Sequence, residues 1–371
     1  MDDCEIGANT IRHILITGGA GFIGSNLARR LLADPSAHIC VLDNLSRPGV
    51  RHNLSWLQGL EAPGRFEFVH GDVRDVALVA SVASDATEIY HLAAQVAVTA
   101  AVKNPMEDFD VNVKGTLNLL EAARLSGNRP FVFFASTNKV YGALDRINVT
   151  PEGTHYRVAD KQFNGVTERE VLDFHSPYGC SKGAADQYVR DYGRIYGLPI
   201  VVFRLSCVAG PRQYGSEDQG WVAHFVYSVI MGDPITIYGN GLQVRDVLHV
   251  DDLLNAIEAA YLRLDRTSGQ IYNVGGGADR AVSVIELLDY IGRIIGKVPM
   301  VHYANARVGD QLLYITNTGK LFTDTGWLPR YGCREVVASI QRFWESNATL
   351  VRDRPNTVPR QNSIRGEKRG V

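Results

Sequence analysis

Tyr178 and Lys182 stand four residues apart in Tyr178-Gly179-Cys180-Ser181-Lys182, at the start of a helical pattern. Residues at i and i+4 share a helix face, so the phenol and the ammonium project together. A free phenol titrates near ~10, and an adjacent cation stabilises the phenolate and lowers that value. Such a pair is suited to take a proton from a hydroxyl. Tyr-x-x-x-Lys also arises on amphipathic helices that do no chemistry, so it needs company. Upstream, the apolar run Phe131-Val132-Phe133-Phe134 ends in Ala135-Ser136-Thr137-Asn138-Lys139. A hydroxyl at the end of that strand, Thr137, can hydrogen-bond the same substrate oxygen.

A second constellation supplies an electron acceptor. Gly18, Gly21 and Gly24 lie between the short apolar strand Ile14-Leu15-Ile16 and a helical run. Gly18 permits a tight turn, Gly21 lets a pyrophosphate approach the backbone, and Gly24 lets the helix pack close to the sheet. The helix N-terminus, with Phe22 and Ile23, then points unpaired N–H groups and a partial positive charge at the phosphates. Nineteen residues after Gly24 a second apolar strand ends in Asp43, followed by Asn44. An acid there accepts hydrogen bonds from a ribose and disfavours a 2′-phosphate. This predicts NAD rather than NADP, with nearby Arg47 pulling the other way. The Tyr178 phenolate would then take a hydroxyl proton while hydride leaves to NAD.

These residues need a scaffold that brings strand ends together. Residues 12 to about 140 alternate short β-rich runs (His13–Thr17, His38–Asp43, Phe66–His70, Glu88–Leu92, Phe131–Ala135) with helical stretches such as Gly24–Leu32 and Val111–Leu125. That alternation predicts right-handed βαβ units and a Rossmann-type, doubly wound parallel sheet. Ligands of such sheets sit at the carboxyl ends of the strands. Residues Ala143–Ser176 are polar and irregular, and a helix from Pro177 to about Tyr196 and a strand Pro199–Leu205 follow. Beyond Ala209 the pattern loosens into a smaller mixed α/β lobe. The expected division is a tail at 1–11, a dinucleotide-binding domain at 12–205 with return segments near 240–275, a substrate lobe at 206–348 and a flexible tail at 349–371.

Net charge is −2 over 371 residues, which gives no electrostatic footprint for nucleic acid or anionic membrane. No run approaches the roughly 20 apolar residues of a membrane span. The acidic start Met1-Asp2-Asp3 does not read as a signal peptide. The five cysteines are scattered without Cys-x-x-Cys pairs. That speaks against a metal site or disulfide framework and for a reducing cytoplasm.

From about Arg12 to Asn347 the chain resembles the extended short-chain dehydrogenase/reductase family, specifically its nucleotide-sugar epimerases and dehydratases. The glycine turn, the Thr137/Tyr178/Lys182 set and the segments Gly71–Asp75, His91–Ala94, Asn112–Thr116 and Gly239–Asp252 carry the resemblance. It implies that Asp72 and Val73 hold the adenine and that Leu92, Ala93 and Ala94 line the cofactor. It also implies that Arg245 contacts the substrate diphosphate or nucleotide, and that Arg307 and Asp310 match a further nucleotide position. Asn44, Arg47, Gln95, Asn112 and Ser136 complete the expected cofactor shell. Gln95 could touch the sugar or equally cap a loop, Asn112 is equally a packing amide, and Asp72 could cap a helix. His175, beside Tyr178, tempts one toward acid/base chemistry, although a loop histidine is more often structural. Helices near Asn112–Leu125 and Tyr178–Tyr196 usually build a homodimer or homotetramer in the family.

Three features narrow the choice. Dehydratases of this family carry an Asp after the Thr as proton donor, and Asn138 cannot serve so. Thr137 and Tyr178 are 41 positions apart, longer than in the typical galactose 4-epimerase pattern. Cys207 replaces a substrate-binding Asn of many relatives. Segments Ser136–Gly142, Asp173–Tyr188 and Asp218–Val222, which include Gln219, are similar to the family's CDP-sugar 2-epimerases. Leu205 and Val208–Pro211 depart from them. The expected reaction is C2 epimerisation of a CDP-linked deoxyhexose by transient oxidation with tightly held NAD. A 4-epimerase needs the same residues and remains the alternative. A non-catalytic NAD-binding sensor would typically lack the Tyr or the Lys.

Overall fold

A computed structural model describes residues 11–307 and 310–351. The tails expected at 1–11 and 349–371 fall almost wholly outside these residues. Five strands, β1 (Arg12–Thr17), β2 (Ala37–Asp43), β3 (Phe66–His70), β4 (Glu88–His91) and β5 (Phe131–Thr137), open the chain. A hairpin β6 (Val149–Glu152) and β7 (His155–Val158) precedes β8 (Ile200–Leu205). The second lobe holds β9 (Cys207–Ala209), β10 (Ile235–Tyr238) and β11 (Val244–His249), and β12 (Gln270–Val274) follows. The central sheet has seven strands in the order β12-β8-β5-β4-β1-β2-β3, and every neighbouring pair is parallel.

The strands are apolar on both faces because helices cover both. Ile14 and Ile16 pack with Leu27, Leu253 and Ile257 on one side. Leu15, between them, packs with Leu119, Ala185 and Val189 on the other. This period-two division of one strand between two cores fixes its register. A third core, with Val222, Phe225, Leu287, Ile291, Ile340 and Trp344, belongs to the second lobe.

The polar insertion at 143–176 is not irregular throughout. Its β6–β7 hairpin turns at Gly153 with φ +61° and docks on the second lobe. Tyr156 N–H donates to the Leu242 carbonyl at 3.0 Å, and His155 Nδ1 lies 2.9 Å from Glu286 Oε1. The hydrophobic pattern of the hairpin is weak because its partner surface lies over 80 residues away in the chain.

Candidate active site

The order of the central sheet reverses between β1 and β4, so the loops after these strands diverge and leave a crevice at their carboxyl ends. A cavity of about 1140 Å³ opens there and runs from the glycine turn to the second lobe. Gly18 turns with φ +69°, and a Cβ on it would stand 2.7 Å from the Ala93 nitrogen. A Cβ on Gly24 would stand 2.5 Å from the Gly18 carbonyl oxygen. Gly24 therefore seats the helix on the turn itself rather than on the sheet. Gly21 precedes helix Phe22–Leu31, whose N-terminus has no side-chain cap, so its N–H groups are left for an anion. A Cβ at any of the three would meet backbone at 3.0 Å or less, so the turn keeps this shape only with glycine, and the cradle fits a dinucleotide pyrophosphate. Gly18→Ala is expected to weaken NAD binding by at least about tenfold, a loss of ~1.4 kcal/mol, and so to leave less dinucleotide on the purified protein. Absorbance of the released dinucleotide measures it.

The Asp43 carboxyl, pushed up by burial, is held by the N–H groups of Ala20 (3.1 Å) and Leu45 (2.8 Å). Asn44 Nδ2 donates to Asp72 at 2.8 Å. Arg74 forks onto the same carboxylate at 2.9 and 2.8 Å, which holds Asp72 down at about 2. Asp72 does not cap the next helix, because Asp75 does so by accepting from Leu78 N–H. Phe22, Ile23, Val73, Leu92, Ala93, Ala94 and Gln95 line the adjoining wall.

At the end of β5, Thr137 and Asn138 are buried beside Tyr178 and Lys182 on helix Ser176–Tyr196. Thr137 Oγ1 donates to Asn138 Oδ1 at 3.4 Å and lies within hydrogen-bonding reach of the Tyr178 phenol. Burial pushes Tyr178 up to about 12, while Thr137 and Arg47 favour the phenolate. Burial likewise pushes Lys182 down to about 7, against the opposing pull of Asp186 and Asp108, and its Nζ sits 4.1 Å over the Phe134 ring. Both groups thus shift as buried groups do, and the cation that favours the Tyr178 phenolate is Arg47.

This cluster has a stability consequence. A lysine that titrates near 7 folded and near 10.5 unfolded takes up its proton less readily in the folded state. It costs stability in full below about pH 7, and the cost fades as pH rises toward its unfolded value. Lys182→Met in the NAD-free protein is expected to melt several degrees higher at pH 6, with the gain shrinking by pH 9. Circular-dichroism melts at the two pH values check this.

The sequence model of the NAD dependent epimerase/dehydratase family matches residues 14–275. The chain belongs to this family. It is 42% identical over 342 residues to the CDP-paratose 2-epimerase of Salmonella typhi, covering 90% of this chain and 99% of that protein. Among solved structures it resembles the dTDP-glucose 4,6-dehydratase of Streptomyces venezuelae with NAD bound, at 31% identity and TM-score 0.77 over 91% of this chain and 98% of that one. It also resembles the UDP-glucose 4-epimerase of Thermus thermophilus in complex with NAD, at 35% identity and TM-score 0.74 over 90% of this chain and 98% of that one.

As in an NAD-dependent epimerase, the phenol, the strand-end hydroxyl and the glycine turn share one cavity. The far end of the cavity is lined by Cys207, Gln219, Arg245, Arg307 and Asp310. Arg47 donates to Gln219 Oε1 across the lobes, and Arg307 lies 3.8 Å over the Tyr238 ring and 3.4 Å from Asp218.

One expected cofactor contact, Asn112, is placed elsewhere, and another, Ser136, spends its proton within the protein. Asn112 is buried away from the cavity. Its amide donates to the Gln95 carbonyl (3.0 Å), Asp108 (3.1 Å) and Ser181 (3.0 Å), so it ties the loop after β4 to the catalytic helix. The Ser136 hydroxyl lies at the cavity wall but donates to Asp186 at 2.8 Å. The Gln95 side chain loops back to Ala97 and Asp108, the cap reading of that residue. His175 pairs with Asp173 at 3.1 Å, outside the cavity lining.

Sequence reasoning missed the support beneath the site. Arg204 forks onto Asp186 at 2.9 and 2.9 Å, both fully buried. It also reaches the Tyr141 hydroxyl (3.0 Å), which donates to Asn273 (2.7 Å). Lys139, adjacent to the strand-end motif, also faces the cavity. Its place two residues beyond Thr137 is the sequence signal for it.

Proposed function

We propose that this chain inverts C2 of a CDP-linked deoxyhexose, of the CDP-paratose to CDP-tyvelose type, by oxidising it to a 2-keto sugar and reducing it on the opposite face. The single observation that carries the choice is the near full-length similarity to a CDP-paratose 2-epimerase. The site agrees on the class of reaction. Asn138 occupies the position next to Thr137 and already accepts its hydrogen bond. It offers no acid to expel water, which supports epimerisation over dehydration.

Bound NAD supplies the hydride acceptor and, in reverse, the donor. Gly18, Gly21, Gly24 and the helix N-terminus hold its pyrophosphate, and Asp43, Asn44, Asp72 and Val73 hold its adenosine end. Thr137 orients the C2 hydroxyl toward Tyr178, whose oxygen takes the proton and later returns it to the reduced ketone. Positive charge at Lys182 and on the oxidised cofactor would offset the desolvation that pushes the phenol up to about 12. Gln219, Arg245, Arg307 and Asp310 retain the nucleotide while the sugar turns, so remote binding energy supports the reorientation.

A homodimer or homotetramer is supported by exposed apolar side chains on the helices within 98–125 and 176–196. They include Met106, Phe109, Leu125, Ile195 and Tyr196. A cytoplasmic setting agrees with the free thiols at Cys40, Cys180, Cys207 and Cys333. Among the described residues no helix is long and apolar enough to cross a membrane.

Proton NMR of the purified protein with CDP-, GDP- and UDP-hexoses, without added NAD, tests the reading. Inversion at C2 of a CDP-linked sugar is expected, and inversion at C4 alone would overturn it.

A further inference from the structure

Lys139 lies two residues beyond Thr137, and its backbone N–H donates to the Thr137 hydroxyl at 3.3 Å. The strand end that carries a catalytic hydroxyl therefore also roots a cation in the cavity wall. Lys139 Nζ approaches Asp310 Oδ1 to 3.5 Å. Arg245, from β11 of the other lobe, approaches the same oxygen to 3.1 Å. Two cations from two lobes thus converge on one carboxylate oxygen and leave one positive charge uncompensated. A phosphate oxygen has the charge and acceptor geometry to occupy that point.

We propose that Lys139 binds the phosphate on the anomeric carbon of the substrate, together with Arg245, and thereby sets C1, and C2 beside it, against Thr137 and Tyr178. The inference rests on the nucleotide-sugar reading of this site and adds to it a residue and a reason. C2 is bonded directly to the carbon that carries the phosphate, whereas C4 lies across the sugar ring. A cation anchored next to the catalytic hydroxyl draws the phosphate end of the sugar toward the reacting groups, which suits reaction at C2. Burial and the like charge of Arg245 push Lys139 down to about 8, so it is still mostly protonated at neutral pH. Its crowding with Arg245 is the state that an incoming anion relieves.

Binding of CDP and of CMP to the NAD-loaded protein, measured by calorimetry, tests this. CDP has a counterpart of the phosphate nearest the sugar, and CMP lacks it. Lys139→Met is expected to weaken CDP by about tenfold to a hundredfold, the worth of a charged hydrogen bond, and to change CMP by less than about twofold. Lys139→Arg, which keeps the charge, is expected to retain most of the CDP affinity. Unchanged CDP affinity in Lys139→Met, or equal losses for CDP and CMP, would overturn the assignment and leave the nucleotide-sugar reading standing. Failure of the unmodified protein to bind either nucleotide would overturn both.

Discussion

Tyr178→Phe is expected to lower turnover by at least about a thousandfold, the usual worth of a positioned acid–base group, while NAD stays bound. The ring is buried and its packing survives the change. What disappears is the one oxygen that can take the C2 proton within reach of Thr137. The cradle formed by Gly18, Gly21 and Gly24 lies on another loop, so dinucleotide released from the denatured variant should match that of the unmodified protein. Turnover by NMR and NAD content by absorbance separate the two roles. Retained epimerisation would remove Tyr178 from the mechanism, and lost NAD would move it into the cofactor site.

The largest stability effect is expected at a residue that touches neither ligand. Asp186 is fully buried and takes three hydrogen bonds from Arg204 and Ser136. Asp186→Ala leaves the Arg204 guanidinium buried with, among the described residues, only the Tyr141 hydroxyl as a hydrogen-bond partner. Breaking such a pair costs about 3–5 kcal/mol, or roughly 10 °C in the melting midpoint. Calorimetry checks the size. The paired change Asp186→Leu with Arg204→Met removes both charges and is expected to recover much of the loss. If Asp186→Ala melts within about two degrees of the unmodified protein, the network does not hold the catalytic helix to the sheet. Asp186 also favours the charged form of Lys182, so activity should fall alongside stability.

The parts that could be read from the chain alone are those whose meaning is local. A strand–glycine–helix turn forms from neighbouring residues, and Gly18 adopts the left-handed φ its type permits. An acid at the end of β2, a hydroxyl at the end of β5 and a phenol–ammonium pair at helix spacing are positioned by backbone periodicity. Once the strands are parallel, their carboxyl ends must meet. Family likeness extended that reading to Arg245, Arg307 and Asp310, which line the same cavity.

Partner choice and dielectric environment are different in kind, because they depend on what folding brings near. Asn112 carries an amide able to touch a cofactor, but the fold turns it to Ser181 and Asp108, and Ser136 donates to Asp186 from the cavity wall. Lys139 and Arg245 are more than a hundred residues apart and meet only because two lobes close on Asp310. Tyr178 and Lys182 stand one turn apart on the same helix, and both titrate as burial dictates. Burial is a property of the packed molecule, and in a desolvated pocket it outweighs a neighbouring charge.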